Sequence, residues 1–162
     1  MYGVLTVRGN HDRELLTGVG GDGPTLSDAA RAYLATLPAT RAFDTPRGPA
    51  LLCHGLGEDD VCRLFPEDDD ATVMDRVRRD PLIAAGGYRF VVGGHTHVPM
   101  YRPLPDGPPV LINAGTLHWG YECGFVVCEF DLGLFRFFTL DHDAGFAVRP
   151  GPVHCLPEGF GQ

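Results

Sequence analysis

The chain has 162 residues, 44% hydrophobic and 21% charged, with a formal net charge of -8. That is enough chain for one domain with a real core and too apolar a composition for disorder. The acidity argues against a general nucleic-acid groove, which would cluster Lys and Arg, while leaving room for a phosphate substrate wherever divalent metals reverse the local field.

In chain order, residues 2–7 read as a short apolar strand that runs into Arg8-Gly9-Asn10-His11-Asp12. Residues 18–24 form a glycine-rich loop. Ser27 or Thr25 then caps a helix to about Leu37, with Ala30, Tyr33, Leu34 and Leu37 on one stripe, and Pro38 ends it. Residues 40–44 and 50–53 read as two strands around the turn Thr45-Pro46-Arg47-Gly48, the second delivering His54-Gly55. The acidic residues 67–70 open a helix to about Arg79, whose Arg76, Arg78 and Arg79 suit the far end of its dipole. A buried strand over 88–92 empties into Gly93-Gly94-His95-Thr96-His97. Residues 100–109 read as a loop, 110–112 as a strand leading to Asn113-Ala114-Gly115-Thr116, and 125–131 with 134–140 as a hairpin. One domain is expected over 1–149, followed by an irregular tail over 150–162 that is rich in Pro and Gly.

No apolar run approaches the roughly 20 residues of a membrane helix, and the amino terminus lacks a signal-peptide pattern. Cys53, Cys62, Cys123, Cys128 and Cys155 include no C-x-x-C pair, so reduced core thiols in a cytoplasmic protein are expected rather than a zinc knuckle.

One pattern recurs: an apolar strand ending in a glycine-flanked polar residue, at Asn10, His54, His95 and Asn113. Strand carboxy ends are where ligands bind in α/β folds, and glycine lets backbone approach closely. A single such residue would read as a hydrogen-bonded turn residue; four in succession point to a site. Imidazole and the Asn carbonyl suit Mn, Zn, Fe or Ni. His95 and His97 would share a face on a regular strand, or face two neighbouring ions on a turn. His118 sits near the loop 113–116, while His142 and His154 lack that setting.

Gly9-Asn10-His11-Asp12, then His54-Gly55, then Gly94-His95-Thr96-His97 resemble, in order, the last three motif blocks of the calcineurin-like metallophosphoesterases. The following Val98-Pro99 and Asn113-Ala114-Gly115-Thr116 look like the small bacterial branch of that superfamily, and the resemblance covers about residues 2–142. It implies an α/β fold, a partial four-layer sandwich of two mixed β-sheets flanked by helices. It implies phosphodiester or phosphomonoester hydrolysis at two divalent metals that clamp the phosphoryl oxygens and activate a bridging water. Carried over by position, Asn10, His54 and His95 bind one ion and His97 the other. His11 is the general acid for the leaving oxygen and Asp12 orients its ring. Arg13 either helps to hold the phosphate or lies at the surface.

The family's first two blocks, D-x-H and G-D-x-x-D, normally lie several tens of residues before G-N-H-D, yet eight residues precede Gly9 here. Gly21-Asp22-Gly23-Pro24 falls after the motif and does not replace them. A truncated chain lacking the amino-terminal strands is therefore expected, with a sheet edge beside residues 2–7 uncovered and open to homodimer pairing. The remaining ligands are all neutral, so two close cations would repel with no anion between them. At most one ion and weak turnover are expected. Two other readings stand beside the enzyme: a non-catalytic binding or scaffold module that keeps the fold, and a single-metal hydrolase built on Asn10, His54 and His95.

Overall fold

A computed structural model describes residues 3–19 and 26–160. The motif after Arg8 opens helix α1 (Asn10–Thr17) and does not end a strand. The cause is local: the Gly9 N–H donates to Asp12 Oδ2 at 2.9 Å, satisfying an amide at the helix start, and Gly18 at φ 72° closes the other end. The strand expected over 2–7 is not formed in residues 3–7, and Tyr2 lies outside the described residues. A strand needs a neighbour to take its hydrogen bonds; among the described residues no strand pairs with this segment, and Val4 stays 81% exposed. Part of the expected glycine-rich loop (residues 20–24) also lies outside the described residues, as does Thr25.

Ser27 supplies the cap of α2 (Asp28–Thr36), its hydroxyl accepting from Ala30 N–H. Tyr33 is exposed rather than on the covered stripe, and α2 buries no residue fully. Arg31 ties the two helices by donating to the carbonyls of Leu15 and Leu16. Strands β1 (Arg41–Thr45) and β2 (Gly48–Leu52) form the expected antiparallel hairpin. Helix α3 (Asp70–Arg79) begins at an Asp69 cap. Asp80 ends α3 and caps the next helix, α4 (Pro81–Gly86), which the sequence reading missed.

Strands β3 (Phe90–Gly93), β4 (Met100–Leu104) and β5 (Gly107–Asn113) complete a five-stranded sheet in the order β1-β2-β3-β5-β4, with β2, β3 and β5 mutually parallel. The stretch 100–109, read from sequence as a loop, is thus mostly a hairpin. Strands β6 (Gly124–Glu129), β7 (Leu134–Asp141) and β8 (Ala147–Cys155) form a second sheet, antiparallel throughout rather than mixed. The tail expected to be irregular after Arg149 begins inside β8, which runs to Cys155, and residues 156–160 lie outside any strand.

Side-chain alternation gives the central sheet two buried faces. Leu51, Val91 and Leu111 face Val73, Val77 and Ile83 of the helices. Ala50, Phe90, Val110 and Ile112 face Phe135 and Phe137 of the second sheet. The fold is α/β, a sandwich of two sheets with helices against the larger one. No helix among the described residues is long and apolar enough to cross a membrane.

Candidate metal centre

The carboxy ends of β2, β3 and β5 lie side by side, so the segments leaving them share one rim. Backbone contact there is close: Gly94 N–H donates to the His54 carbonyl at 2.7 Å. A Cβ on Gly93 would lie 2.7 Å from the Gly55 carbonyl, and one on Gly9 would lie 3.0 Å from the His54 ring. At Gly93 a side chain would collide with backbone, whereas at Gly9 it would press on the His54 imidazole.

Three of the predicted ligands meet. His54 Nε2 lies 2.9 Å from Asn10 Oδ1 and 3.3 Å from His95 Nδ1. Asn10 is buried, and its amide nitrogen donates to Glu14, which turns the carbonyl oxygen toward His54. Three atoms able to donate electron pairs converge on one spot, an arrangement a cation would relieve. His95 Nε2 is in addition buried without a hydrogen-bond partner. Burial first, then the neighbouring His95, lowers the pKa of His54; burial and then Arg63 lower that of His95. Both rings are held toward the neutral form that ligates metals. These donors fit part of a site for one ion. Among the described residues no group of three or more His, Cys, Asp and Glu side chains is arranged to hold one.

His97 stands apart from that trio. Its ring meets Tyr121 edge-on at 4.6 Å and lies nearly parallel to His118 at 6.4 Å. His95 and His97 both take positive φ, 66° and 62°, a conformation non-glycine residues seldom adopt. Asn113 buttresses this loop: its amide donates to the Gly94 carbonyl and Thr96 Oγ1, and its oxygen accepts from Gly115 N–H. Its polar atoms are thereby occupied in support.

Asn10, His54, His95 and His97 open on one pocket of about 460 Å³, which His11 and Asp12 also line and Asn113 does not. Asp12 caps α1 and makes no hydrogen bond to His11 among the described contacts. Arg13 grips Asp60 through two bonds, Nε to Oδ2 at 2.6 Å and Nη2 to Oδ1 at 3.1 Å, and is absent from the pocket lining. That hydrogen bonding holds the Asp60 carboxyl below its usual range. The cation that does line the pocket is Arg63, joined by Phe65 and Tyr121. None of the three lies in a motif, so the sequence offered only their position after the His54 and Asn113 segments. Of the thiols, Cys53 and Cys123 are buried and Cys155 is exposed, so not all five are core residues as expected.

The profile of the calcineurin-like phosphoesterase superfamily domain matches residues 1–131. The chain belongs to this superfamily. Among solved structures, a single-mutant Vps29 from Entamoeba histolytica aligns at 14% identity and TM-score 0.51, over 85% of this chain and 67% of that one. A hypothetical protein from Pyrococcus horikoshii OT3 aligns at 13% identity and TM-score 0.52, over 93% and 62%. A predicted phosphoesterase from Streptococcus pneumoniae aligns at 17% identity and TM-score 0.47, over 75% and 63%. The chain spans 62–67% of the length of these structures. No curated protein matches. The superfamily is thus given by the sequence profile, and the likenesses at TM-score 0.51 and 0.52 concern the fold alone.

Proposed function

We propose that this chain holds one metal and the proton donor of a phosphoesterase that cleaves phosphodiesters or phosphomonoesters. The observation that carries the reading is the convergence of Asn10 Oδ1, His54 Nε2 and His95 Nδ1 at the rim of a pocket lined by His11. A divalent transition metal held there (Mn, with Fe, Zn or Ni as alternatives) would polarise the phosphoryl oxygens and offset their charge. His97 would reach a second ion only with anionic ligands added, and among the described residues the nearby Asp12 and Asp60 are engaged elsewhere; at most one ion per chain is expected. His11, exposed at the first turn of α1, donates a proton to the leaving oxygen, with Asp12 close by in sequence. The start of α1 favours the anionic substrate, and Arg63 takes the phosphate-binding part first given to Arg13. Five free thiols fit a reducing cytoplasm, and residues 3–7 offer exposed Val4 and Leu5 to a homodimer. Sedimentation across a concentration series tests that pairing.

The decisive experiment counts bound Mn per chain while an aryl phosphodiester is assayed in the same sample. The expected result is up to one ion with slow turnover. His54→Ala should lose both, and His11→Ala should lose turnover but keep the metal. A chain that takes up no metal at millimolar Mn ends the proposal.

A second reading, a non-catalytic binding module with at most one metal, draws on the two nearby carboxylates. Asp12 is engaged in a helix cap and Asp60 by Arg13, so neither stands free as a ligand or base. Metal uptake without turnover under any of the four metals would favour it.

A further inference from the structure

Asn10, His54 and His95 converge, with His11 next to Asn10 in sequence, as the polar end of the pocket, and the aromatic side chains of Phe65 and Tyr121 also line it. Its volume of about 460 Å³ falls in the roughly 300–1,000 Å³ range of sites that enclose whole small molecules.

Beyond Tyr121, residues 117–121 carry an aromatic surface unusual for its exposure: Trp119 is 79% and Tyr121 55% exposed. The planes of His97, His118 and Trp119 are nearly parallel, within 16° and 11° for the successive pairs. The loop is pre-ordered. His118 N–H donates to Thr116 Oγ1, Gly120 N–H to His118 Nδ1, and Tyr121 N–H to the His118 carbonyl. Its base is closed by Gly124 N–H on the Thr116 carbonyl at 2.7 Å. Asn113 joins that base to the His95–His97 loop, so aromatic surface and ligand residues are held at a fixed separation. Large aromatic area left in water and held rigid beside a polar pocket is suited to stacking a flat ring at little ordering cost.

We infer that the pocket selects phosphate esters carrying a flat aromatic group, a nucleobase or a simple aryl ring, which stacks on Tyr121, with Trp119 nearby on the same loop, while the phosphate lies at the polar end. The phosphate half of this rests on the phosphoesterase reading; the aromatic half rests on the loop 117–121. The net charge of -8 favours a small ester over a nucleic-acid strand.

Trp119 is the chain's single tryptophan, so its fluorescence reports on this surface without any turnover. The Mn-equilibrated protein is titrated with AMP, phenyl phosphate, ribose 5-phosphate and adenosine, the non-quenching ligands by competition. AMP or phenyl phosphate should quench saturably, and ribose 5-phosphate should bind on the order of tenfold more weakly, the worth of one stacked ring. Whichever of the two aromatic esters binds tighter identifies the ring. Tyr121→Ala should weaken the aromatic esters by a similar factor and leave ribose 5-phosphate unchanged; Tyr33→Ala, on α2, should change nothing. Ribose 5-phosphate binding as tightly as both aromatic esters, or a Tyr121→Ala protein with unaltered affinities, overturns the inference. Adenosine binding as tightly as AMP overturns its phosphate half and, with it, the reading of the polar end, while sparing the stacking surface. Metal uptake and ester hydrolysis without ring preference would leave the phosphoesterase reading standing and sink this one.

Discussion

His54 answers three demands at once: its ring lies over Gly9, its Nε2 faces Asn10 and His95, and its carbonyl holds Gly94. Gly9 has an ordinary φ of -91°, so alanine is allowed by the backbone there, and the added methyl acts only by pushing the imidazole. Gly9→Ala should therefore lower metal affinity on the order of tenfold, read by calorimetry, with little change in the helix. Protonation offers a second lever. The pKa values of His54 and His95 lie below the usual 6.5, burial being the first cause for both. The neutral rings bind metal, so uptake should persist as pH falls past 6.5 and drop only once the depressed values are passed; a Zn titration across pH checks this. The same sign holds for folding: the neutral buried rings stabilise above the unfolded-state pKa, and this is lost as pH falls through the folded values. That Asn10, His54, His95, His97, His11 and Asp12 gather at one pocket was legible because fixed motifs carry them. Arg63 and Tyr121 were not, since they reach the pocket from loops with no pattern of their own.

The loop after His54 is clamped by a helix junction. Asp80 Oδ1 accepts from Ile83 N–H, and Oδ2 accepts from Glu58 N–H at 3.1 Å. Gly57, at φ 56°, leaves no room for a side chain against that carboxylate. Asp80→Ala should cost about 1–2 kcal/mol, a helix cap plus a tether, seen as a lower urea midpoint, and should loosen the metal ligand next to it. At this scale the sequence was readable wherever apolar runs meet a neighbour, as in β2, β3 and β5. It misled where the neighbour decides: residues 3–7 have the composition of a strand and no ladder. Strands β4 and β8 were hidden by Pro103, Pro150 and Pro152. Both lie at sheet edges, and β7·β8 carries a register shift between Arg136 and Phe138, the setting in which strands tolerate proline.

Two cores hold the molecule, and they meet at the central sheet. Phe135 is fully buried and packs on Phe90 and Tyr101, joining the second sheet to the one that carries the ligands. Phe135→Ala should cost about 3–5 kcal/mol. In thermal unfolding this should appear as a large drop in midpoint, partly recovered by a bound ion that prefers the folded state. The α/β class was legible from the alternation of apolar strands and helices, and the sandwich came from the family resemblance. The hairpin of β6 and β7 in the second sheet was legible as well, whereas its third strand was not, because β8 runs through a proline-rich segment.

The left-handed backbone at His95 and His97 means that the ligand loop is less stable than its length allows. Replacing a side chain there by none would relax the chain, so His97→Gly should raise the unfolding free energy by about 1 kcal/mol while abolishing whatever His97 contributes to ligand binding. A denaturation curve measured beside a binding curve would register both sides of that exchange.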